Sequence, residues 1–586
     1  MSQAATDSAV QTPPPPQPVI RPLRVWPAVI LLALLGLARF CFYLTEEPSM
    51  VQFMLAMFGP MVVGLATAIW WAFASRGTRG ERWLGLLALV GIGLGTFFGA
   101  HVTMRSMWFT FFALPSGLAA FMGTLLLLGR LRSPLRTGAA LLAAAVGFGY
   151  WDLIQIDGLW GGFQTTFLYR WEPNSEQRNL ARLKAQNQSA AAQPDSTSGP
   201  LGDVVWPGFR GPDRNSVVPG LTLATDWEQT PPRQIWRRQI GAGWSSFAIA
   251  GTRIFTQEQR GDEEAVTCYD ADSGEQRWIH LTPHRFWESM AGAGPRATPT
   301  IAGDALYVLG ATGLLERLDP RTGEAAWSRN LKEDAGRDPP AWGFCSSPLV
   351  TDGLVIVHAG GEGDKGVLAY DEQTGEPRWS APAGDHTYSS PHLAELAGQR
   401  CVLMLSNTGL AAIEPTQGKL LWDYAWKIEN YRAVQPLVLS SGDVLLGSGM
   451  GTGTRKITVG GGAEPTFDID WTSLRMKPDF NDFVEHQGYL YGFDHDIFAC
   501  IDLADGKKKW KQGRYGTGQV LLLPDAGQLL VLSERGDLVL LATKPEEHEE
   551  LASFAVLEGK TWNHPALSGR RIYVRNAEQA ACFELP

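Results

Sequence analysis

The sequence predicts an all-β eight-bladed propeller preceded by an α-helical five-span transmembrane domain. Two observations predict this fold class: a repeated turn followed by a tryptophan in the later part of the chain, and a series of long apolar stretches before it. The 586 residues include 65 glycines and 22 tryptophans. This composition favours many short strands joined by tight turns.

The repeat has the form apolar-Asp-x-x-x-Gly-x-x-x-Trp, with Glu once in place of Asp. Its five clear copies end at Trp278, Trp327, Trp379, Trp422 and Trp510. Turn-forming residues fill the gap between the acid and the glycine, and glycine accepts the left-handed backbone of a tight turn. Each copy therefore predicts a β-hairpin whose second strand carries a large indole. We expect the next copy to bury that indole.

The spacing of the tryptophans predicts the number of units. The gap from Trp422 to Trp510 is 88 residues, twice 44, so one weak copy is expected inside it, at Trp471. Trp236 and Phe554 extend the series at its two ends. Eight units of roughly 40–50 residues with several strands each are typical of a β-propeller rather than a helical solenoid.

The chain divides into four predicted parts. Residues 1–22 are polar and proline-rich and are expected to be a disordered cytoplasmic tail. Residues 23–157 are expected to form five transmembrane helices, since each apolar stretch can cross a hydrocarbon core of about 30 Å. Residues 158–203 are expected to be a juxtamembrane segment and linker, and residues 204–586 the propeller. The five apolar stretches are 25–44, 51–74, 83–102, 108–128 and 138–156.

Arginines predict the orientation of the spans. Eight arginines lie before the first stretch and in the second–third and fourth–fifth loops, whereas the alternate loops carry only Arg105. Positively charged loops face the cytoplasm, so the N-terminus is predicted to be cytoplasmic. Five spans then place the propeller on the periplasmic or extracytoplasmic side of the inner membrane. Strands from both ends of the propeller are expected to close its ring, because closure removes free sheet edges.

Composition argues against several classes of function. The formal net charge is −10, and outside the membrane loops no basic cluster is interleaved with aromatic residues, so no nucleic-acid partner is predicted. The six cysteines have no CxxC or CxxCH spacing, which argues against zinc ribbons and c-type haem. No metal site is predicted.

A looser pattern before each hairpin supplies the candidate site. It places small, hydroxylated or polar residues in front of a strand, as in Cys345-Ser-Ser-Pro348 and Tyr388-Ser-Ser-Pro391. The first strand of each blade lines the central channel, so these segments are expected to converge at one mouth of it. The predicted channel-mouth pocket contains Arg296, Arg432, Arg514, Gln435, Asn481, Asn563 and His564.

Two interpretations of these segments are open. In the first, small residues let eight strands crowd round an axis and satisfy one another's backbone groups. In the second, Arg296, Arg432 and Arg514 bind an anionic ligand, because a guanidinium pairs with a planar carboxylate through two donors. His564 is a candidate general base, and a hydrogen-bonded structural histidine is the alternative. No catalytic residue is assigned.

Two copies of the repeat resemble a known pattern. Tyr269-Asp-Ala-Asp-Ser-Gly-Glu-Gln-Arg-Trp278 and Tyr370-Asp-Glu-Gln-Thr-Gly-Glu-Pro-Arg-Trp379 resemble the tryptophan-docking repeat of the pyrroloquinoline-quinone-type propeller superfamily. The resemblance implies an eight-bladed fold. It does not decide the activity, because that superfamily includes quinoprotein dehydrogenases and the non-enzymatic propeller of the outer-membrane barrel-assembly machinery.

Two functions follow from the resemblance. The first is a membrane-anchored extracytoplasmic propeller that takes no cofactor, is not an enzyme, and binds or scaffolds envelope proteins. The alternative is a dehydrogenase that oxidises an alcohol or sugar with pyrroloquinoline quinone and calcium and passes electrons to membrane quinone. The five-span layout is similar to membrane-bound quinoprotein glucose dehydrogenases. However, this propeller is shorter than theirs, and it lacks the adjacent cysteine pair of many alcohol-oxidising relatives.

Overall fold

The computed structural model describes residues 23–41, 44, 50–161, 164–189, 199–429, 432–461 and 465–586. The chain forms two compact units, Met1–Gln155 and Ile156–Pro586. The tail predicted at residues 1–22 lies outside the described residues, as do residues 190–198 of the predicted linker.

The first unit is a bundle of helices. They are α1 (Trp26–Phe40), α2 (Met50–Ile69), α3 (Arg79–Gly99), α4 (Leu114–Leu128) and α5 (Ser133–Gly149). A π-helical turn, Trp70–Ala74, continues α2, and another, Phe109–Ala113, leads into α4. Short 3₁₀ turns at Val102–Met104 and Tyr150–Leu153 complete the unit.

The structure corrects the predicted number of spans. In the described part of the chain, three helical stretches are long and apolar enough to cross a membrane: Val51–Ala74, Arg79–Gly99 and Phe109–Leu128. The outer two apolar stretches form shorter helices, because α1 has 15 residues and α5 has 17. The apolar residues after Gly149 leave the α-helix for a 3₁₀ turn and then a strand.

Several elements lie outside the blades. Strands Ile154–Leu159 and Thr165–Tyr169 pair with each other, and we call them the leading hairpin. Helix α6 (Ser175–Ser189) follows and packs on the propeller, where the Asn179 side chain donates to the carbonyl of Ile240 at 2.6 Å. A short helix, α7 (Leu331–Ala335), follows the last strand of the second blade.

Eight antiparallel sheets confirm the predicted propeller and its blade count. Blade 1 has five strands and each other blade has four, and a short strand pair, Trp287–Glu288 with Gly292–Ala293, follows blade 1. The strands are Val204–Trp206, Ala248–Ala250, Arg253–Arg260, Glu263–Asp270 and Gln276–Thr282 in blade 1; Thr300–Ala302, Ala305–Leu309, Leu314–Leu318 and Ala325–Asn330 in blade 2; Leu349–Thr351, Leu354–His358, Val367–Asp371 and Pro377–Ala381 in blade 3; His392–Leu396, Gln399–Leu405, Gly409–Ile413 and Leu420–Ala425 in blade 4; Leu437–Val438, Val444–Ser448, Gly453–Val459 and Phe467–Ser473 in blade 5; Val484–His486, Tyr489–Asp494, Ile497–Asp502 and Lys508–Lys511 in blade 6; Gln519–Leu523, Gln528–Leu532, Asp537–Ala542 and Glu550–Ala555 in blade 7; and Ala566–Ser568, Arg571–Arg575, Gln579–Glu584 and Arg233–Gln239 in blade 8.

Blade 8 closes the ring with strands from both ends of the propeller, as predicted. Arg233–Gln239 is its outer strand and pairs antiparallel with Gln579–Glu584, so that Trp236 lies opposite Cys582. No free edge is left between the first and last blades, because this pairing joins them.

Tryptophans lock successive blades together, which confirms the predicted burial by the next copy. The ring of Trp327 in blade 2 lies on Gly375 in blade 3, and its Nε1 donates to the carbonyl of Glu372 at 3.1 Å. A Cβ on Gly375 would lie 2.6 Å from Cδ2 of Trp327, so only glycine fits the turn. The same contact joins Trp236 to Gly274, Trp278 to Gly323, Trp379 to Gly418 and Trp471 to Gly506.

Three members of the series pack differently. Nε1 of Trp510 in blade 6 donates to the carbonyl of Lys544 in blade 7 at 2.7 Å. The ring of Phe554 in blade 7 meets Phe583 of blade 8 edge-on, with centroids 6.0 Å apart. Trp422 in blade 4 lies 5.3 Å from the ring of Phe467 in blade 5. Residues 462–464, shortly before Phe467 in the sequence, lie outside the described part of the chain.

Gly375→Ala is expected to destabilise the protein more than Gly353→Ala does. Both glycines lie in blade 3 with nearly equal φ angles, 72° and 74°. An alanine in this left-handed conformation is therefore expected to lower the free energy of unfolding by about 1–2 kcal/mol in both variants. Only Gly375 faces an indole, since nothing lies within 4 Å of a Cβ at Gly353. Overpacking is expected to add about 1–3 kcal/mol at Gly375. Denaturant unfolding of the full chain in detergent measures both, and equal losses would contradict the docking contact.

Candidate functional site

A cavity of about 200 Å³ lies on the propeller axis, where the inner strands of the blades begin. We call it the axial chamber. The polar segments that precede the strands converge here, and every blade contributes to the lining. In order from blade 1 to blade 8, lining residues are Ser246, Thr298, Ser347, Ser390, Ala433, Phe480, Gln519 and His564.

Aromatic rings form much of the chamber wall. Trp342 is stacked on Tyr388, with centroids 4.7 Å apart and planes at 27°. Trp562 packs against Trp244 at 5.0 Å and against Phe480 at 4.9 Å. The wall therefore presents mainly apolar ring surface to anything that enters.

Hydroxyl groups link the inner strands of the first four blades. The backbone N–H of Ser246 donates to Oγ1 of Thr298 at 3.0 Å, and the N–H of Thr298 donates to Oγ of Ser347 at 2.9 Å. The N–H of Ser347 donates in turn to Oγ of Ser390, also at 2.9 Å. In each case a hydroxyl of one blade accepts a hydrogen bond from a buried backbone N–H of the preceding blade. These bonds fit the interpretation that the small residues satisfy backbone groups of neighbouring strands.

One end of the chamber is crossed by residues 159–161 of the leading hairpin, which we call the strap. The N–H of Leu159 donates to the carbonyl of Met290 at 3.1 Å, and its carbonyl accepts from Lys560 Nζ at 2.9 Å. The N–H of Gly161 donates to the Glu534 carboxylate. The strap is thus bonded to the segment after blade 1 and to the segments that follow strands of blade 7.

Lys560 is half-buried and bonded to the strap. Its Nζ lies 4.3 Å from the ring centroid of Trp562 and 4.9 Å from that of Trp244. Burial lowers the pKa of Lys560 to about 8. The two indoles offset part of this effect, since a ring face attracts a cation.

Residues 207–216, which we call the plug, lie farther along the axis. Phe209 of the plug lines the chamber. The Arg214 guanidinium donates to the carbonyls of Ser347 and Pro348 in blade 3 at 3.1 and 3.0 Å. Just beyond the plug, Val217 forms a parallel bridge with Leu522 of blade 7. The segment therefore crosses the ring from blade 3 to blade 7.

Arg210 holds the plug to blade 6. Its side chain is 1% exposed, donates to Oγ of Ser216 at 2.8 Å, and lies 3.5 Å from the Asp482 carboxylate. Burial raises the pKa of Asp482, and the neighbouring Arg210 opposes that rise. Loss of one partner would leave an uncompensated buried charge, so this pair fixes the plug in place.

The three predicted arginines do not meet. Arg296 lines the chamber, but its guanidinium bonds the Glu288 carboxylate at 2.9 Å and lies 4.6 Å from the centroid of Phe286. Arg432 lies outside the lining and donates to Nδ1 of His386. Arg514 is exposed and pairs with Asp496 at 3.1 Å.

The remaining predicted residues are buried and bond nearby groups. Asn563 donates to the carbonyls of Gly243 and Ser245, Gln435 donates to that of Ser390, and Asn481 accepts from the N–H of Asp479. None of these three lines the chamber among the described residues. Their contacts are those of residues that hold strand ends together.

His564 lines the chamber, and both its ring nitrogens are engaged. Nε2 lies 2.9 Å from Oγ of Ser216 in the plug, and Nδ1 lies 2.8 Å from the carbonyl of Pro565. Burial lowers the pKa of His564 to about 3. The imidazole is therefore neutral at pH 7 and links blade 8 to the plug.

Sequence reasoning missed the aromatic wall, the strap and the plug. A signal for the wall was present, because Trp244 and Tyr388 stand directly before Ser-Ser pairs and Trp562 stands before Asn563 and His564. No comparable signal marked Lys560 or Glu534, since their role depends on a hairpin hundreds of residues away in the chain.

The chamber does not fit a pyrroloquinoline quinone and calcium centre. The quinone carries three carboxylates, and Arg296, the arginine on the wall, is already paired with Glu288. Among the described residues, no group of three or more His, Cys, Asp or Glu side chains is placed to hold a metal ion. Cys345 is a free thiol in the wall whose pKa burial raises to about 12.

Eight blades, docked tryptophans and closure by an N-terminal strand define a propeller of the pyrroloquinoline-quinone type. A family model described as outer membrane protein assembly factor BamB matches residues 225–342 and 262–512. The fold and this match together confirm the resemblance stated from the repeat.

Relatives of two kinds match parts of the chain. BamB of Yersinia pestis is 24% identical over 205 residues, which are 33% of this chain and 48% of that protein. Quinohemoprotein alcohol dehydrogenase ADH-IIG of Pseudomonas putida is 32% identical over 155 residues, 24% of this chain and 21% of that protein. The chain thus spans less than half the length of either relative.

A solved structure of BamB from Moraxella catarrhalis is 15% identical, covers 59% of this chain and 84% of its own, and superimposes with a TM-score of 0.32. A likeness at this TM-score carries no argument.

Acidification is expected to destabilise the protein partly through His564. Its folded pKa is about 3 and its unfolded pKa about 6.5, so below pH 6.5 the unfolded chain takes up a proton that the folded chain excludes. The stability linked to His564 is complete above pH 6.5 and is lost as the pH falls towards 3. At pH 5 the loss is about 2 kcal/mol.

Unfolding of the full chain and of His564→Gln at pH 7.5 and pH 5 measures this linkage. The wild type is expected to lose more stability than the variant between the two values. Equal losses would show that His564 is protonated in the folded protein.

Proposed function

We propose that the protein is a membrane-anchored extracytoplasmic propeller that binds envelope proteins and scaffolds them, and that it is not an enzyme. The aromatic wall of the axial chamber carries this proposal. Tryptophan and tyrosine are enriched in the buried cores of protein–protein contacts, because they offer large rigid surfaces. The Arg296 guanidinium on the wall is already paired with the Glu288 carboxylate. The wall therefore suits apolar side chains better than an anionic cofactor.

The match to the model described as outer membrane protein assembly factor BamB supports the same proposal. That description concerns proteins of the bacterial envelope. The dehydrogenase match covers 24% of the chain, against 33% for BamB of Yersinia pestis, and Arg296 on the chamber wall is already paired with Glu288, so no redox function is proposed.

We propose further that the protein is a multi-pass protein of the inner membrane. The loop between α2 and α3 carries Arg76, Arg79 and Arg82, which favours a cytoplasmic position for this loop. If α2, α3 and α4 alone crossed, the residues after α4 would be cytoplasmic too. The side of the propeller therefore depends on whether α5 crosses.

An ion pair supports a crossing by α5. Arg136 in the first turns of α5 bonds Glu81 in the first turn of α3, with Nε and Oε1 2.8 Å apart and both side chains 3% exposed. Thr137 donates to the same carboxylate at 2.6 Å. Because the two helices start side by side, α5 runs in the direction of α3, away from the arginine-rich loop. Its 17 residues span roughly 25 Å, and the 3₁₀ turn of four residues adds about 8 Å.

Reporter fusions are expected to place the C-terminus outside the cytoplasm. Alkaline phosphatase joined after Pro586 should be active, because it folds only in an oxidising compartment, whereas a fusion after Leu131, before α5, should be inactive. Green fluorescent protein at the same two positions should give the opposite pattern. Active phosphatase at Leu131 and an inactive fusion at Pro586 would contradict the proposed topology.

A photo-cross-linking amino acid at Trp342 is expected to capture a specific envelope protein in intact cells, because Trp342 is half-buried in the chamber wall. The matched control is the same amino acid at Trp287, which is 38% exposed and outside the chamber lining. Mass spectrometry identifies the adduct, which should form at Trp342 alone. A bound chromophore and dye reduction on adding pyrroloquinoline quinone and calcium would overturn the proposal.

A further inference from the structure

Exposed aromatic side chains of the second unit are concentrated in one short stretch. Phe167 is 39% exposed, Tyr169 43% and Trp171 65%. Among the other described residues of this unit, one more aromatic side chain is exposed, that of Trp287. A propeller that buries its other rings so thoroughly exposes these three together, which indicates that something covers them.

The three rings form one surface, which we call the aromatic face. Phe167 and Tyr169 alternate along the strand Thr165–Tyr169, and alternate residues of a strand point to the same side. Trp171 lies in the turn that follows the strand. Tyr169 and Trp171 are stacked almost parallel, with centroids 4.8 Å apart and planes at 5°.

The course of the chain indicates what covers this face. The first strand of the leading hairpin starts at Ile154, five residues after α5 ends at Gly149. A connection as short as residues 160–164 requires antiparallel pairing, so the second strand returns towards Ile154. Tyr169 and Trp171 therefore lie at the end of the hairpin where its first strand begins, which is a few residues after α5 along the chain.

The chemistry of the rings fits a bilayer surface. Tyrosine and tryptophan collect at the headgroup level of membranes, where an apolar ring meets lipid and the polar tip stays in water. Pairing within the hairpin satisfies backbone groups that lipid would otherwise leave unbonded.

We propose that Phe167, Tyr169 and Trp171 contact the headgroup region of the bilayer that holds the first unit, and so fix the leading hairpin at the membrane surface. This inference rests on the membrane anchoring in the proposed function. The leading hairpin then has two contacts: the strap at one end lines the axial chamber, and the aromatic face at the other end contacts lipid.

Environment-sensitive labels test the inference in lipid nanodiscs. The full chain carries Cys345→Ser to remove its half-buried thiol, and a nitrobenzoxadiazole label is attached at Trp171→Cys or Phe167→Cys. Matched controls are Leu168→Cys, on the opposite side of the same strand, and Trp287→Cys, outside the hairpin. Lipids with a nitroxide at the headgroup or at the end of the acyl chain report depth.

Labels at Phe167 and Trp171 are expected to emit at shorter wavelength than both controls and to be quenched severalfold more by the headgroup nitroxide. Water-like emission without quenching, in chains that co-elute with nanodiscs, would overturn the inference and leave the anchoring intact. A shift that depends on protein concentration and not on nitroxide lipid would assign the face to a second copy, which also overturns it. Failure to co-elute would overturn the anchoring itself.

Discussion

In five of the eight blades an indole lies on a glycine of the following blade, and the rest of the structure depends on this contact. The contact places Trp327 over Gly375, and its equivalents recur around the ring. Burial of a large ring stabilises the pair of blades, while the bond from Nε1 to a turn carbonyl fixes their relative angle. Because the same angle recurs from blade to blade, the inner strands meet at one axis and create the axial chamber. The site therefore depends on contacts made near the outer rim of the blades.

The repeat could be predicted from the sequence because its turn chemistry and its tryptophan are local and recur with a regular spacing. Weak copies at Trp236 and Trp471 were found by spacing alone, and both dock like the clear ones. The predicted number of spans was wrong because apolar composition does not show where a helix ends. At residues 138–156 the helix stops at Gly149, although apolar residues continue into a strand.

The candidate site was predicted only in part, because convergence on an axis does not fix where a long side chain ends. Arg296, Arg432 and Arg514 all follow the same segment pattern, yet their guanidiniums find partners in Glu288, His386 and Asp496. These partners come from neighbouring loops that no repeat spacing reveals. The strap and the plug escaped prediction for a related reason: each acts on residues far away in the chain, and neither belongs to a blade.

Closure of the ring also constrains how the chain folds. The strand Arg233–Gln239 is synthesised before all but the first few strands, but its partner, Gln579–Glu584, is synthesised last. Contacts between residues so far apart in the chain form late, because closing the long loop between them costs entropy before the contacts stabilise the fold. Until then the early strand is a bare edge able to pair with another chain. A ribosome that stalls before the final blade therefore leaves an open ring with an unpaired strand, and the propeller closes only when Gln579–Glu584 has been made.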